Sequence, residues 1–512
     1  MYLRKVVSTD HSIARSIFMT VSGLSLLLFG GHSHSIDEET YLASLRAFLH
    51  LKPQIDLSVT PPEILVATPG KGGALTSIYG FGTILFYLPM YLVGKCFAFI
   101  VSSPWKEQTL RLFFYSSNSL ALGATSATIY LIGRSFRCNF KVCCGGALSY
   151  GIGSYALAHA GTGFSEPLTA MFITLSFYFL VRIRGGATYA AELSAAMLGA
   201  AVLMRPSSLI FVPLFYINLL VSSRRDRWFF LTTKLVIGGT IPIAVMLTSN
   251  WWKWGSLFDT GYPKLAYNTP WYEGVYGLFL SSGKGLVWFA PVTVVAFIFV
   301  RQGVQRFRAD VLVLWACVIV NTALFCRFEV WSGDDAYGPR YMGIVLPLIV
   351  VLAILGSDGM NQRAIWIAGL CGLPASIAGS LIYVNASNSN RIQKIFDLVG
   401  SSSRFEDGTF DWTRTRRAVN FTPRLSQLIE HLGNIPDAFR ESLRSVSHHS
   451  APFLIDTKSS LSWYISRVRL DLWWLYWIET GASVWILGLL LLPIAMIACG
   501  GKDLRSRLKS RN

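Results

Sequence analysis

Three short stretches of this 512-residue chain hold residue types that can move protons or grip phosphate. The first is His32-Ser-His34-Ser-Ile-Asp37-Glu38-Glu39, two imidazoles followed by three consecutive carboxylates. A carboxylate at the edge of hydrocarbon loses solvation and binds its proton more tightly, which suits Asp37 and Glu38 to general-base work. Helix capping accounts for the same residues equally well. Ser35 and Asp37 precede an amphipathic run from Glu39 to His50, with Leu42, Leu45 and Leu49 on one face. The second stretch is Trp331-Ser-Gly-Asp-Asp-Ala-Tyr-Gly-Pro-Arg340-Tyr341. A guanidinium matches phosphate in a bidentate way, so Arg340 reads as a phosphate clamp, the alternative being an arginine that snorkels to an interface. Asp334 and Asp335 are candidates to hold Arg340, to bind a metal or, with Tyr337, to bind substrate. The third stretch joins Asn250-Trp-Trp-Lys-Trp254, Phe258-Asp-Thr-Gly-Tyr262 and Ser281-Ser-Gly-Lys284-Gly285. Its tryptophans suit an interfacial belt better than a sugar platform. Ser281–Gly285 lacks the full phosphate-loop spacing, which argues against nucleotide binding, while Lys284 is kept as a contact to a lipid phosphate. Arg205, beside Pro206, is a third basic candidate. Glu166, Asp259 and Tyr79 are further substrate-binding candidates.

The elements that must position these residues are membrane helices. Only 14% of the chain is charged and mean hydropathy is +0.46, whereas a soluble chain carries about 25% charged residues. The deficit comes from apolar runs of ~17–25 residues, the length that crosses a bilayer as helix. Backbone groups in lipid must be satisfied internally, so the expectation is an all-α polytopic protein. The net charge of +17 fits Lys and Arg retained in cytoplasmic turns. No basic stripe with interleaved aromatics supports nucleic-acid binding. The eight cysteines avoid the long outer loops, so no disulfide framework is expected, and Cys143-Cys144 has no zinc-site spacing.

Thirteen apolar stretches stand near 15–31, 78–101, 109–133, 142–160, 166–182, 187–204, 206–222, 229–249, 285–300, 310–327, 341–356, 364–384 and 476–499. Both ends of the chain are basic, and two cytoplasmic termini require an even number of spans. If 78–101 does not cross, the clusters at Arg134–Lys141, Arg182–Arg184, Arg224–Arg227, Arg301–Arg308 and Arg363 all fall inside; if it crosses, they fall outside. The expectation is therefore about twelve transmembrane helices, with Tyr79–Ser102 lying along the outer interface. Residues 1–384 form the transmembrane module with a first outer loop at 31–108. Residues 385–475 form a small outer-face region, and 476–512 the last span and a basic cytoplasmic tail. All the candidate residues then gather on one outer face. A transporter of a lipid-linked sugar would place its acids and bases mid-membrane. A polysaccharide polymerase or ligase would share the outer arginines without needing an aspartate at the end of the first span.

The order of these motifs resembles the GT-C class of membrane glycosyltransferases, which includes protein O-mannosyltransferases and the transferases that add aminoarabinose to lipid A. The likeness rests on Asp37-Glu38 after the first span and on the juxtamembrane stretch Tyr79–Ser102. A bacterial subgroup is resembled through Ser165-Glu-Pro-Leu168, Arg205-Pro206, Phe258–Tyr262, Tyr276–Gly285 and Tyr337-Gly-Pro-Arg-Tyr341, with a weaker echo in Asp471-Leu-Trp-Trp474. The resemblance covers about residues 15 to 356. It implies a bacterial inner-membrane enzyme with a polyprenyl-phosphate-linked sugar donor, inverting transfer on the outer face, and a lipid, glycan or protein acceptor. Asp37 or Glu38 would be the base. Arg340, with Lys284 or Arg205, would neutralise the departing lipid phosphate. No cofactor is required by these motifs, and His32 and His34 are the candidate ligands should a divalent metal take part. Three adjacent acids, Asp37 to Glu39, leave the identity of the base open.

Overall fold

The computed structural model describes residues 2–58, 60, 62, 65–101, 105–262, 266–334, 336–359, 361–384, 387, 412–448, 468–479 and 485–510. The candidate Asp335 and about half of the expected outer-face region 385–475 lie outside the described residues. The fold is almost wholly helical; the described strands, β1 (Ala67–Pro69) and β2 (Leu75–Ser77), form one short antiparallel pair in the first outer loop.

The chain opens with α1 (Tyr2–Leu27), α2 (Ile36–Leu49), α3 (Gly82–Ile100) and α4 (Lys106–Ser135). It continues with α5 (Phe140–Gly151), α6 (Ala156–Ala160), α7 (Ser165–Arg184), α8 (Ala190–Met204), α9 (Phe211–Ser222) and α10 (Trp228–Trp254). Then come α11 (Trp271–Leu280), α12 (Leu286–Phe289), α13 (Val292–Ile298), α14 (Val300–Phe325), α15 (Leu346–Ser357) and α16 (Gln362–Leu381). The last are α17 (Trp412–Phe421), α18 (Gln427–His448), α19 (Trp473–Glu479) and α20 (Trp485–Ser510). Among the described residues, five helices are long and apolar enough to cross a membrane: α3, α7, α10 with the short turn before it, α14 and α16. This is an all-α membrane protein. Every residue of α15 is buried, making it the central post of the bundle.

Several expected spans are not single helices, 206–222 among them, which begins as a 3-10 turn, Pro206–Ile210, before α9. The run 142–160 is broken between α5 and α6, where Gly151 packs on Val21 and Gly153 on Gly369. The run 285–300 is divided into α12 and α13 at Ala290-Pro291. The run 341–356 begins as a 3-10 turn, Arg340–Ile344, before α15. Conversely, the expected basic turn Arg301–Arg308 is helical, with a kink at Phe307 inside α14.

Side-chain pairings define two poles. At one, Asp10 of α1 accepts from Tyr130 (2.8 Å) and Arg134 (3.1 Å) of α4. Arg184 is bound by Asp310, and Arg306 by Asp358. Midway, Ser25 donates to Ser119. At the other pole, Gly31 packs on Leu112. Helices α1 and α4 are thus antiparallel. So are α1 and α20: Trp473 and Trp474, leading into α20, donate to Leu26 and Leu27, while Asp503 near its end accepts from Ser12 and Ser16. The start of α1 and the end of α20 therefore share the Arg134 pole.

Helix α3 is long enough to cross, yet both its ends meet the opposite pole. Gly80 and Gly82 pack on the Leu203–Met204 backbone at the end of α8. Further along, Gly94 packs on Leu110 and Phe97 stacks on Phe113, in the first turns of α4.

Candidate active site

The site lies at the pole opposite Arg134 and begins where α1 ends. Gly31 takes a left-handed conformation (φ +70°), and an added Cβ would meet Leu112 and Trp473 at 2.9 Å. This tight turn delivers His32 and then the first turn of α2. Ser35 occupies the N-cap position without a side-chain bond, and all three acids sit in the first turn, where the helix dipole favours negative charge. Successive helical residues are rotated by about 100°, so the three carboxylates face three different partners.

Asp37 faces the arginines. Its Oδ2 accepts from Arg340 at 2.7 Å and its Oδ1 from the Tyr79 hydroxyl at 2.5 Å. The same Arg340 donates through Nε to Glu166 at 2.7 Å, and Arg205 donates to that Glu166 oxygen at 2.5 Å. Glu166 is 1% exposed and Arg340 lies over the Phe164 ring, 3.9 Å from its centroid. Asp37, Arg340, Glu166 and Arg205, from four separate parts of the chain, form one chain of ion pairs.

Glu38 turns inward and is fully buried, accepting from the His34 backbone N–H at 2.9 Å. Burial pushes its pKa up to about 8, so near neutrality it holds a proton. Glu39 faces Arg111, which it binds through both oxygens while also accepting from Ser33. Burial works against its charge, but Arg111 outweighs this and holds the carboxyl below its usual value. Arg111 also binds Glu107, which binds Arg46 of α2 at 2.6 Å. This network ties α2 to α4.

Beside the cluster, His32 and His34 converge on Asp471, which precedes α19. The Nε2 atoms lie 2.7 and 2.9 Å from its two oxygens, and Tyr476 donates to it at 2.9 Å. Burial opposes the charge of Asp471, but the imidazoles outweigh it and hold the carboxyl well below the usual range.

Several expected site residues stand elsewhere. Lys284 is 1% exposed, and its ammonium binds the backbone carbonyls of Asp334, at 2.9 Å, and Ala336. It is committed to shaping the loop before Arg340. Tyr337 is a core residue, donating to Ala375 and packed on Phe289. Asp259 is exposed and accepts from the Gly261 amide in a local turn. Asp334 is exposed in left-handed backbone, and Arg340 is held by Asp37 and Glu166 instead. Gly333 (φ +75°) is required here, since a Cβ would come within 2.7 Å of the Arg340 side chain.

Two residues carry more than their sequence context suggests. Lys253, inside the Trp cluster at the end of α10, is buried and donates to the Tyr79 carbonyl at 2.8 Å. Asp471 is recognisable only by its place before Trp473-Trp474.

An apolar groove of about 590 Å³ runs between α8, α9 and α10, lined by Leu198, Val202, Phe215, Leu235, Met246 and neighbours. Val202, Leu203 and Met246 also line the recess that holds Tyr79, Lys253 and Tyr262. The groove thus shares three lining residues with the recess of Tyr79, whose hydroxyl binds Asp37.

Comparison with known proteins returns no matching family model, no matching curated protein and no matching solved structure.

Proposed function

We propose that the chain is an inverting membrane glycosyltransferase that moves a sugar from a polyprenyl-phosphate donor to an acceptor hydroxyl, as the motif order implies. The observation that carries this reading is the Asp37–Arg340–Glu166–Arg205 cluster, whose partner Tyr79 lines a recess that shares Val202, Leu203 and Met246 with the apolar groove. A lipid phosphate needs both an apolar path for its chain and fixed cations for its head. In this reading about twelve helices span a bacterial inner membrane, α3 rests on the outer interface and both termini are cytoplasmic.

Asp37 accepts the proton of the acceptor hydroxyl as its oxygen attacks the anomeric carbon. The bond from that carbon to the phosphate oxygen breaks, and the lipid phosphate leaves with an added negative charge. Arg340 and Arg205 are already aimed by the buried Glu166, so little reorganisation accompanies charge development. Asp37 is favoured over its neighbours because Glu38 keeps its proton and Glu39 faces Arg111, whereas Asp37 contacts Arg340 of the arginine cluster.

The test is transfer from a panel of radiolabelled polyprenyl-phosphate sugars by purified protein, wild type against Asp37→Asn and Arg340→Ala. Turnover by wild type that both variants lose supports the assignment. Failure to consume any donor, with substrate-dependent alternation of access, would favour transport.

A further inference from the structure

We infer that His32, His34 and Asp471 form a binding site for one divalent transition-metal ion of the zinc class, which clamps the first outer loop to the segment before the last helix. The three offer one ligand atom each, all within 4.8 Å of one another. Two imidazoles and one carboxylate are a ligand set suited to zinc and its neighbours, with room for water in a fourth position. The two histidines stand two residues apart in the non-helical segment between α1 and α2. The rings stack with centroids 4.8 Å apart, and both Nε2 atoms point to the same carboxylate.

Hydrogen-bond bookkeeping favours a cation at that point. The His32 Nδ1 lies 3.0 Å from the Ser33 carbonyl oxygen, which requires a proton on Nδ1. The Nε2 contact with Asp471 at 2.7 Å is then attractive either with a second ring proton between them or with a metal ion that displaces that proton and bridges imidazole and carboxylate. The carbonyl on Nδ1 is also the outer partner that metal-bound histidines use to fix ring orientation. Metal bonds of about 2.0–2.2 Å hold tetrahedral ligand atoms roughly 3.3–3.6 Å apart, so the imidazole–carboxylate contacts of 2.7 and 2.9 Å must open and the widest spacing, within 4.8 Å, must close. Asp471 is further held by Tyr476, and the His32 ring is packed edge-on against Tyr383.

The clamp links residues more than 430 positions apart. Through the His34 backbone N–H, which binds Glu38, it also sets the turn that carries Asp37. His32, His34 and Asp471 are positioning residues in this respect and do not touch the arginine cluster. The site stands independently of the transferase reading.

The experiment uses the full chain in detergent, stripped with a chelator, then loaded with Zn²⁺ or Co²⁺ and freed of excess. Bound metal is counted by mass spectrometry and cobalt coordination is read from its visible absorption. Wild type and the exposed-site control Glu329→Gln are expected to retain about one metal per chain. His34→Ala and Asp471→Asn are expected to bind at least ~10-fold more weakly. Should those variants fail to fold, the wild type decides: its melting temperature falls in chelator and recovers with Zn²⁺. Equal metal retention by wild type and His34→Ala, or a wild-type melting temperature indifferent to chelator and Zn²⁺, overturns the proposal.

Discussion

Asp37, Glu38 and Glu39 share composition and address, and sequence alone leaves the base open among them. What separates them is helix phase combined with partners 72 to 303 positions away, Arg111 and Arg340. Neither partner is local, so the distinction is illegible in the motif itself. Asp37→Asn keeps an oxygen for Tyr79, so folding should survive while turnover falls by about 10²–10⁴-fold, the usual share of a general base. Melting curves beside donor-consumption assays check both halves. Glu38 gives a pH prediction of defined sign. Its folded pKa of about 8 lies above its unfolded value near 4.5, so between those values the folded state binds more protons. Wild type therefore loses stability as pH rises through that window, by up to about 1.4 kcal/mol per pH unit. Glu38→Gln, still able to accept from the His34 amide, should lose none of it. Thermal melts at pH 5 and pH 9 in chelator should show the variant gaining on wild type as pH rises; parallel behaviour would refute the assignment. Lys284 shows the opposite failure of local reading. Its glycine-flanked setting suggests phosphate, but its long side chain reaches two backbone carbonyls first.

At the scale of elements, the helices were legible because apolar runs in lipid have few backbone options. Their interruptions were less so. Glycines in α5 and the proline between α12 and α13 break runs that hydropathy alone joins, because close helix contacts and a missing N–H act below the level of average hydrophobicity. Charge counting and composition read α3 differently. The helix passes any length criterion, yet its ends rest on α8 and on the first turns of α4. Those first turns also brace α2 through the Arg46–Glu107–Arg111–Glu39 network, in which Arg111 and Glu39 are both buried. Removing one partner of a buried pair strands the other charge, at about 3–5 kcal/mol. Arg111→Met should therefore lower the melting temperature far more than Arg424→Met, a change at an exposed arginine. Equal melting of the two would show that the network does not brace the loop.

Across the whole molecule, one pole collects Asp10, Arg134, Arg184, Arg306 and both termini, and the other collects the acids and arginines of the site. This division was readable from the basic turns alone. The groove was not, because it is built by α8, α9 and α10 together and has no motif of its own. Under the proposed function its task is to hold a polyprenyl chain, and Gly239 allows that to be tested cleanly. Gly239 lines the groove on α10, and an added Cβ would meet only Ile243, at 3.8 Å. A larger side chain there enters open space and raises helix propensity by up to about 1 kcal/mol. Gly239→Phe should thus fold at least as well as wild type while filling part of the groove. Its kcat/KM should fall by roughly tenfold or more for a long-chain donor, since losing 1.4 kcal/mol of binding is a factor of ten. With a donor trimmed to one or two prenyl units, whose chain does not reach Gly239, wild type and variant should be equal. An equal loss on both donors would mean that the substitution disturbs the cluster itself. No loss on either would remove the groove from the path of the lipid.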